Sequence, residues 1–73
     1  MKEETTNRLI ETNLFIDFMV KHGINVKTFC KMCNMTQETF NNIMMQNFTI
    51  KAVYSLYDIA KVLNMPFSDL YTK

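Results

Sequence analysis

Three observations predict an all-α fold for this chain of 73 residues. Apolar side chains recur at three- and four-residue spacing in successive segments, the signature of amphipathic helices. Polar capping residues (Asn25, Thr36, Thr49) stand just before those segments, where a side-chain oxygen can accept from an otherwise orphaned backbone N–H. No segment shows sustained period-two alternation, so no strand is expected.

The elements follow in order. A first helix is expected from about Asn7 to Lys21, with Ile10, Leu14, Phe15 and Phe18 at helical spacing. His22-Gly23 ends it, the glycine supplying the positive φ of a helix C-terminus. Asn25 caps a second helix, Val26 to about Met32, and Ile24 and Phe29 have the spacing of a hydrophobic staple. Asn34 tolerates a left-handed backbone and marks a tight turn. Thr36 then caps a third helix running to about Met45, with Met35 and Phe40 repeating the staple spacing. After a loop, Gln46-Asn47-Phe48, Thr49 opens a fourth helix expected to carry Val53, Leu56, Ala60 and Leu63 inward. Asn64-Met65-Pro66 break it, and Phe67 to Tyr71 make a last helical turn or two.

Composition bounds the class. An apolar share of 48%, a charged share of 21%, one Gly and one Pro describe a globular chain. One domain spanning 1–73 is expected, with residues 1–6 as a flexible N-terminal segment. No apolar run reaches the ~18 residues of a membrane span. The start, MKEETTNRLIE, is polar and acidic where a signal peptide would be basic and then apolar. The expected location is therefore cytoplasmic, with no membrane partner. Residues 1–20 carry a balance of −2, residues 21–51 a balance of +3, and residues 52–73 none, within a net charge of +1. The cations thus gather on the middle of the chain, as neutralising phosphates would require.

Cys30 and Cys33, the only cysteines, form a CxxC. Such a pair can hold zinc, exchange disulfides, or simply fill a core. A tetrahedral zinc needs four ligands, and beyond the two thiols the chain offers one imidazole, His22, and scattered carboxylates. A redox pair sits at a helix N-terminus, where the dipole lowers the thiol pKa. This pair falls in the last turn of a helix and shares a face with Val26 and Phe29. Core packing is the expectation, with no metal and no cofactor. His22 reads as a C-terminal residue favoured by the helix dipole, and no nucleophile or paired carboxylates stand in register, so no enzyme is expected.

Two short capped helices joined by Cys33-Asn34-Met35 describe a helix-turn-helix. From Gly23, the run GINVKTFCKMCNMTQETFNNI resembles the Cro/CI-repressor type, the XRE family of lambda-repressor-like domains. The matching positions are Gly23, Asn25, Phe29, Cys30 (where the family usually has Ala), Asn34-Met35-Thr36, Gln37 and Ile43. IAKVLNMPFSDLY, residues 59–71, looks like that family's fourth and fifth helices. The resemblance implies a compact five-helix domain and a transcriptional regulator, most simply a small repressor, that reads double-stranded DNA with its third helix in the major groove.

On that reading Phe40, Ile43 and Met44 point inward, and Gln37, Glu38, Thr39, Asn41 and Asn42 contact bases. Gln or Asn can bond adenine N6 and N7 together, Glu can accept from cytosine N4, and a Thr methyl can meet the thymine methyl. Phosphate contacts fall to Lys21, Lys27, Thr36, Gln46, Asn47 and Lys51. The chain departs from the pattern at Val26, where a Gln often braces the backbone, at Leu14 and Met19, where Arg is frequent, and at Met45-Gln46. Fewer phosphate contacts predict weak monomer affinity. Surplus apolar residues (Ile16, Met19, Val20, Tyr54, Tyr57, Phe67, Leu70, Tyr71) and the family's habit of pairing through its C-terminal helix predict a homodimer through Phe67, Leu70 or Tyr71. No small-molecule ligand is expected. The alternative is a helical interaction module, an antitoxin or accessory regulator, whose helix-turn-helix no longer reads DNA.

Overall fold

The computed structural model describes residues 9–72. Four α-helices, α1 (Asn13–His22), α2 (Val26–Met32), α3 (Gln37–Met44) and α4 (Ile50–Leu63), are followed by a 3-10 turn, Phe67–Leu70. The described residues contain no strand, only an isolated antiparallel bridge between Ile10 and Tyr71. The expected fifth helix is this single 3-10 turn, opened by Pro66 in extended conformation. The expectation for residues 1–6 lies outside the described residues.

α2, α3 and α4 each start on a side-chain cap. Asn25 Oδ1 accepts from Thr28 N at 2.9 Å, Thr36 Oγ1 from Thr39 N at 3.1 Å, and Thr49 Oγ1 from Ala52 N at 3.1 Å. All four helices stop in the same way. A residue one or two past each end has positive φ: Gly23 64° and Asn64 59° directly after α1 and α4, Asn34 55° and Gln46 61° one further on after α2 and α3. The next amide then donates five residues back, as in Ile24 N to Met19 O at 3.0 Å and Met65 N to Ala60 O at 3.0 Å. This pairing satisfies carbonyls that the helix leaves open.

α1 starts later than its apolar spacing predicts. Leu9 to Glu11 are extended, because Glu11 N donates to Leu70 O at 2.7 Å and Thr72 N to Leu9 O at 2.7 Å. Ile10 is buried either way, so its place in the apolar pattern could not separate a helix from an extended lead-in.

The core lies where these elements meet. Phe29 of α2 is its hub, 6.1 Å from Phe15, 5.7 Å from Phe18 and 5.9 Å from Phe40 between ring centroids. Such tilted and edge-on pairs contribute about 0.5–1.5 kcal/mol each beyond area burial. Ile43, Leu56, Ile59 and Leu70 close the core on the other side, and Cys30 and Cys33 are buried within it. On α4 the inward face is Ala52, Ser55, Leu56, Ile59 and Ala60. Val53, expected inside, is exposed and Leu63 is half-buried; Ala52, one residue earlier, takes the inward place. On α1 Met19 is buried while Ile16 and Val20 stay exposed.

Candidate nucleic-acid interface

α2 and α3 are joined by three residues, Cys33-Asn34-Met35. Asn34 turns the chain with its left-handed backbone, and Met35 N donates to Cys30 O at 2.9 Å. Thr36 then fixes the start of α3 twice: its Oγ1 accepts from Thr39 N and donates to Thr39 Oγ1, both at 3.1 Å. Thr39 is only 7% exposed, one helical turn before the buried Ile43 and on the same side of α3. A Thr39 methyl is therefore not on the outer face where a base contact would need it.

Gln37, Glu38 and Asn41 are exposed on the first turns of α3, and their side chains form no hydrogen bond among the described residues. Asn42 is half-buried, and its Oδ1 accepts from Asn47 Nδ2 at 3.1 Å. The apolar Met45 extends the outer face at the helix end.

Of the residues expected at phosphates, Lys21, Lys27, Thr36, Asn47 and Lys51 are exposed. Gln46 is half-buried and both ends of its amide are engaged: Ile10 N donates to Oε1 at 3.0 Å, and Nε2 donates to Ile10 O at 3.1 Å. Its polar atoms serve the fold. Lys51 is carried by the first turn of α4 to a shallow groove of about 400 Å³ lined also by Thr36, Glu38, Thr39, Asn42, Thr49 and Ile50. This groove brings the N-termini of α3 and α4 together, and both present positive dipole ends and amide donors to an anion. Glu38 on its rim opposes that field.

The cysteines carry no such chemistry. Both thiols are free and buried. Burial pushes the Cys33 thiol up to about 12, with the negative charges of Cys30 and Asp58 adding to it; burial alone raises Cys30. Among the described residues no group of three or more His, Cys, Asp and Glu could hold a metal ion.

The residues expected at a partner separate into two kinds. Leu70 is 0% exposed and fills the protein's own core, so its side chain is not on the surface. Phe67 is half-buried, stacked on Tyr57 at 4.3 Å and edge-on to Tyr71 at 5.7 Å. A row of open apolar side chains lies instead along α4, where Ile50 is 74% and Tyr54 69% exposed, with Val53 and Tyr57 beside them; Val20 and Met45 are exposed elsewhere. The i, i+4, i+7 spacing of Ile50, Tyr54 and Tyr57 was in the sequence, and read as a second helix face it would have located this stripe. No helix among the described residues is long and apolar enough to cross a membrane. Comparison with family models, curated proteins and solved structures finds no match for the chain.

Proposed function

We propose that the chain is a sequence-specific DNA-binding regulator of the Cro/CI helix-turn-helix type, a small cytoplasmic repressor of lambda-repressor-like architecture without enzymatic activity. One observation carries the reading: α3 is held at its start by a doubly bonded cap, yet leaves Gln37, Glu38 and Asn41 exposed and without hydrogen bonds among the described residues. A fixed helix with unspent donors and acceptors suits base edges in a major groove. Gln37 and Asn41, one helical turn apart, would read neighbouring base pairs, and Glu38 a cytosine N4. Lys51 and the two helix N-termini at the groove would seat one phosphate, while Lys27 would meet another, neither carrying sequence information. With so few cations the monomer binds weakly, so a homodimer reading an imperfect palindrome with half-sites about 10 base pairs apart is proposed with it.

Selection of bound duplexes from a random library, followed by titration at fixed salt, tests the reading. An enriched half-site whose affinity falls steeply with salt is the expected result; absence of enrichment and of any duplex binding at low salt would overturn it. The exposed stripe Ile50, Tyr54 and Tyr57 favours a second reading, a helical interaction module. That reading takes over if the chain binds a protein partner through α4 and no duplex.

A further inference from the structure

Gln46 ends α3 differently from the residues that end the other helices. Gly23, Asn34 and Asn64 also sit at positive φ, but glycine lacks the Cβ clash and asparagine can offset it locally. A glutamine at φ 61° has neither excuse. Its reward lies 36 residues back in the chain, where its amide both accepts from Ile10 N and donates to Ile10 O at 3.0 and 3.1 Å. On the opposite edge, residues 9 and 11 pair with 72 and 70, through Thr72 N to Leu9 O and Glu11 N to Leu70 O, both at 2.7 Å. The amide of Gln46 therefore stands where the backbone of a third strand would stand, and it satisfies both backbone polar groups of Ile10, while Leu9 and Glu11 bond the other edge.

We propose that Gln46 is a latch: it ties the C-terminal end of α3 to the paired chain ends, so that the pairing of 9–11 with 70–72 and the seating of α3 form one cooperative unit. A partner that draws residues 9–11 off residues 70–72 would then free the end of the helix proposed to read DNA. The latch itself stands on the hydrogen bonds; its bearing on DNA rests on the reading above. Gln46 is a positioning residue, acting on bases only through α3.

The test uses full-length Gln46→Gly, which keeps the left-handed backbone and removes the amide, and Gln46→Glu, which keeps the shape. Amide hydrogen exchange should show protection of Ile10, Glu11 and Thr72 falling about tenfold in Gln46→Gly, from two lost hydrogen bonds partly offset by relieved strain. Thr28 and Leu56 amides should keep theirs. In Gln46→Glu the carboxylate can accept from Ile10 N but repels Ile10 O, so protection falls at pH 7. Near pH 4 the protonated acid both accepts and donates, and protection returns. The latched state favours the protonated form and raises that carboxyl's pKa, so the gain is full below the ordinary value of about 4.3 and is lost as pH rises. The wild type controls for Glu11 and Asp69, the carboxyls beside Ile10 and Leu70 in the chain, and its protection should not change between these pH values. Unchanged protection in both variants, or loss in Gln46→Glu without recovery at low pH, would overturn the latch; should Gln46→Gly not fold, the Gln46→Glu pH series decides alone. Affinity of Gln46→Glu for a selected duplex should follow the same pH recovery. A latch that responds while duplex affinity does not would sever it from α3, and a wild type that binds no duplex would sink the DNA reading while leaving the latch standing.

Discussion

Replacing Thr36 with Ala tests whether the start of α3 is set by one hydroxyl. The substitution removes the acceptor for Thr39 N and the donor to Thr39 Oγ1, each at 3.1 Å. Loss of an N-cap costs about 1 kcal/mol. Thr39 is only 7% exposed, so water replaces its lost hydroxyl partner poorly, which adds about 1 kcal/mol. The sum is about 2 kcal/mol, and in a domain of this size each kcal/mol moves Tm by about 4–8 °C. Urea and thermal unfolding followed by circular dichroism should therefore show a drop on the order of 10 °C with an unchanged m-value. Thr36→Ser should stay near the wild type. Thr36→Asp should regain most of the loss, because a carboxylate can accept from Thr39 N and from the Thr39 hydroxyl at the positive end of the helix. Asn25→Ala is the internal comparison: its hydrogen bond is exposed, so only about 1 kcal/mol is at stake. A Thr36→Ala protein as stable as the wild type, or one no less stable than Asn25→Ala, would refute this account of the helix start.

Leu70→Ala should cost about 2–5 kcal/mol whatever the protein concentration, because Leu70 is 0% exposed within its own chain. Tyr54→Ala, on the open face of α4, should leave denaturant unfolding of the protomer within about 0.5 kcal/mol and instead weaken self-association by sedimentation. On a selected duplex, Gln37→Ala should lose about 1–3 kcal/mol while random DNA is barely affected; Lys51→Ala should weaken both and flatten the salt slope by about one unit. Cys33 should make the protein lose stability in alkali. Its thiol is raised to about 12 when folded, above the ordinary value, so stability is intact below the ordinary range and falls as pH rises through it toward 12. The slope is at most about 1.4 kcal/mol per pH unit, and Cys33→Ala should flatten that limb.

The four helices, the caps of α2 to α4 and the stops of α1, α2 and α4 were legible because each rests on local chemistry, whereas the start of α1 was not. Asn25, Thr36 and Thr49 carry oxygens that reach only their own first turns, and Gly23, Asn34 and Asn64 tolerate a backbone that others resist. Most of what escaped reading depends on residues far apart in sequence. Nothing near Gln46 announces that its amide bonds Ile10, so it reads as a surface residue available to phosphate. Thr39 has a residue type that suits base reading, yet it stands one helical turn before Ile43 and shares its buried side. On α4 Ala52 rather than Val53 takes the inward place, because both are apolar and only packing within the fold chooses between them. Leu70 looked like surplus because the sequence does not reveal that residues 9–11 and 70–72 close over one core.

The groove and the apolar stripe share a boundary, and this constrains how the two proposed contacts combine. Ile50 belongs to both: it lines the groove between the starts of α3 and α4, and it begins the exposed row continued by Tyr54 and Tyr57. Lys51, its neighbour, also lines the groove and carries the cation proposed to meet a phosphate there. A partner covering α4 from Ile50 onward thus lies within a side chain's length of the phosphate contact. If that partner is a second copy, two weak sites become linked, and the second contact is made at high effective concentration. The salt slope would then exceed what one chain's few lysines can supply, since it counts the phosphates neutralised by the whole assembly. If the partner is another protein, it crowds the same groove and competes with DNA. The two cases part in one titration: adding a monomer-forming Tyr54→Ala substitution should lower both affinity and salt slope for a dimer, whereas for a competing partner it should leave DNA binding by the isolated chain unchanged.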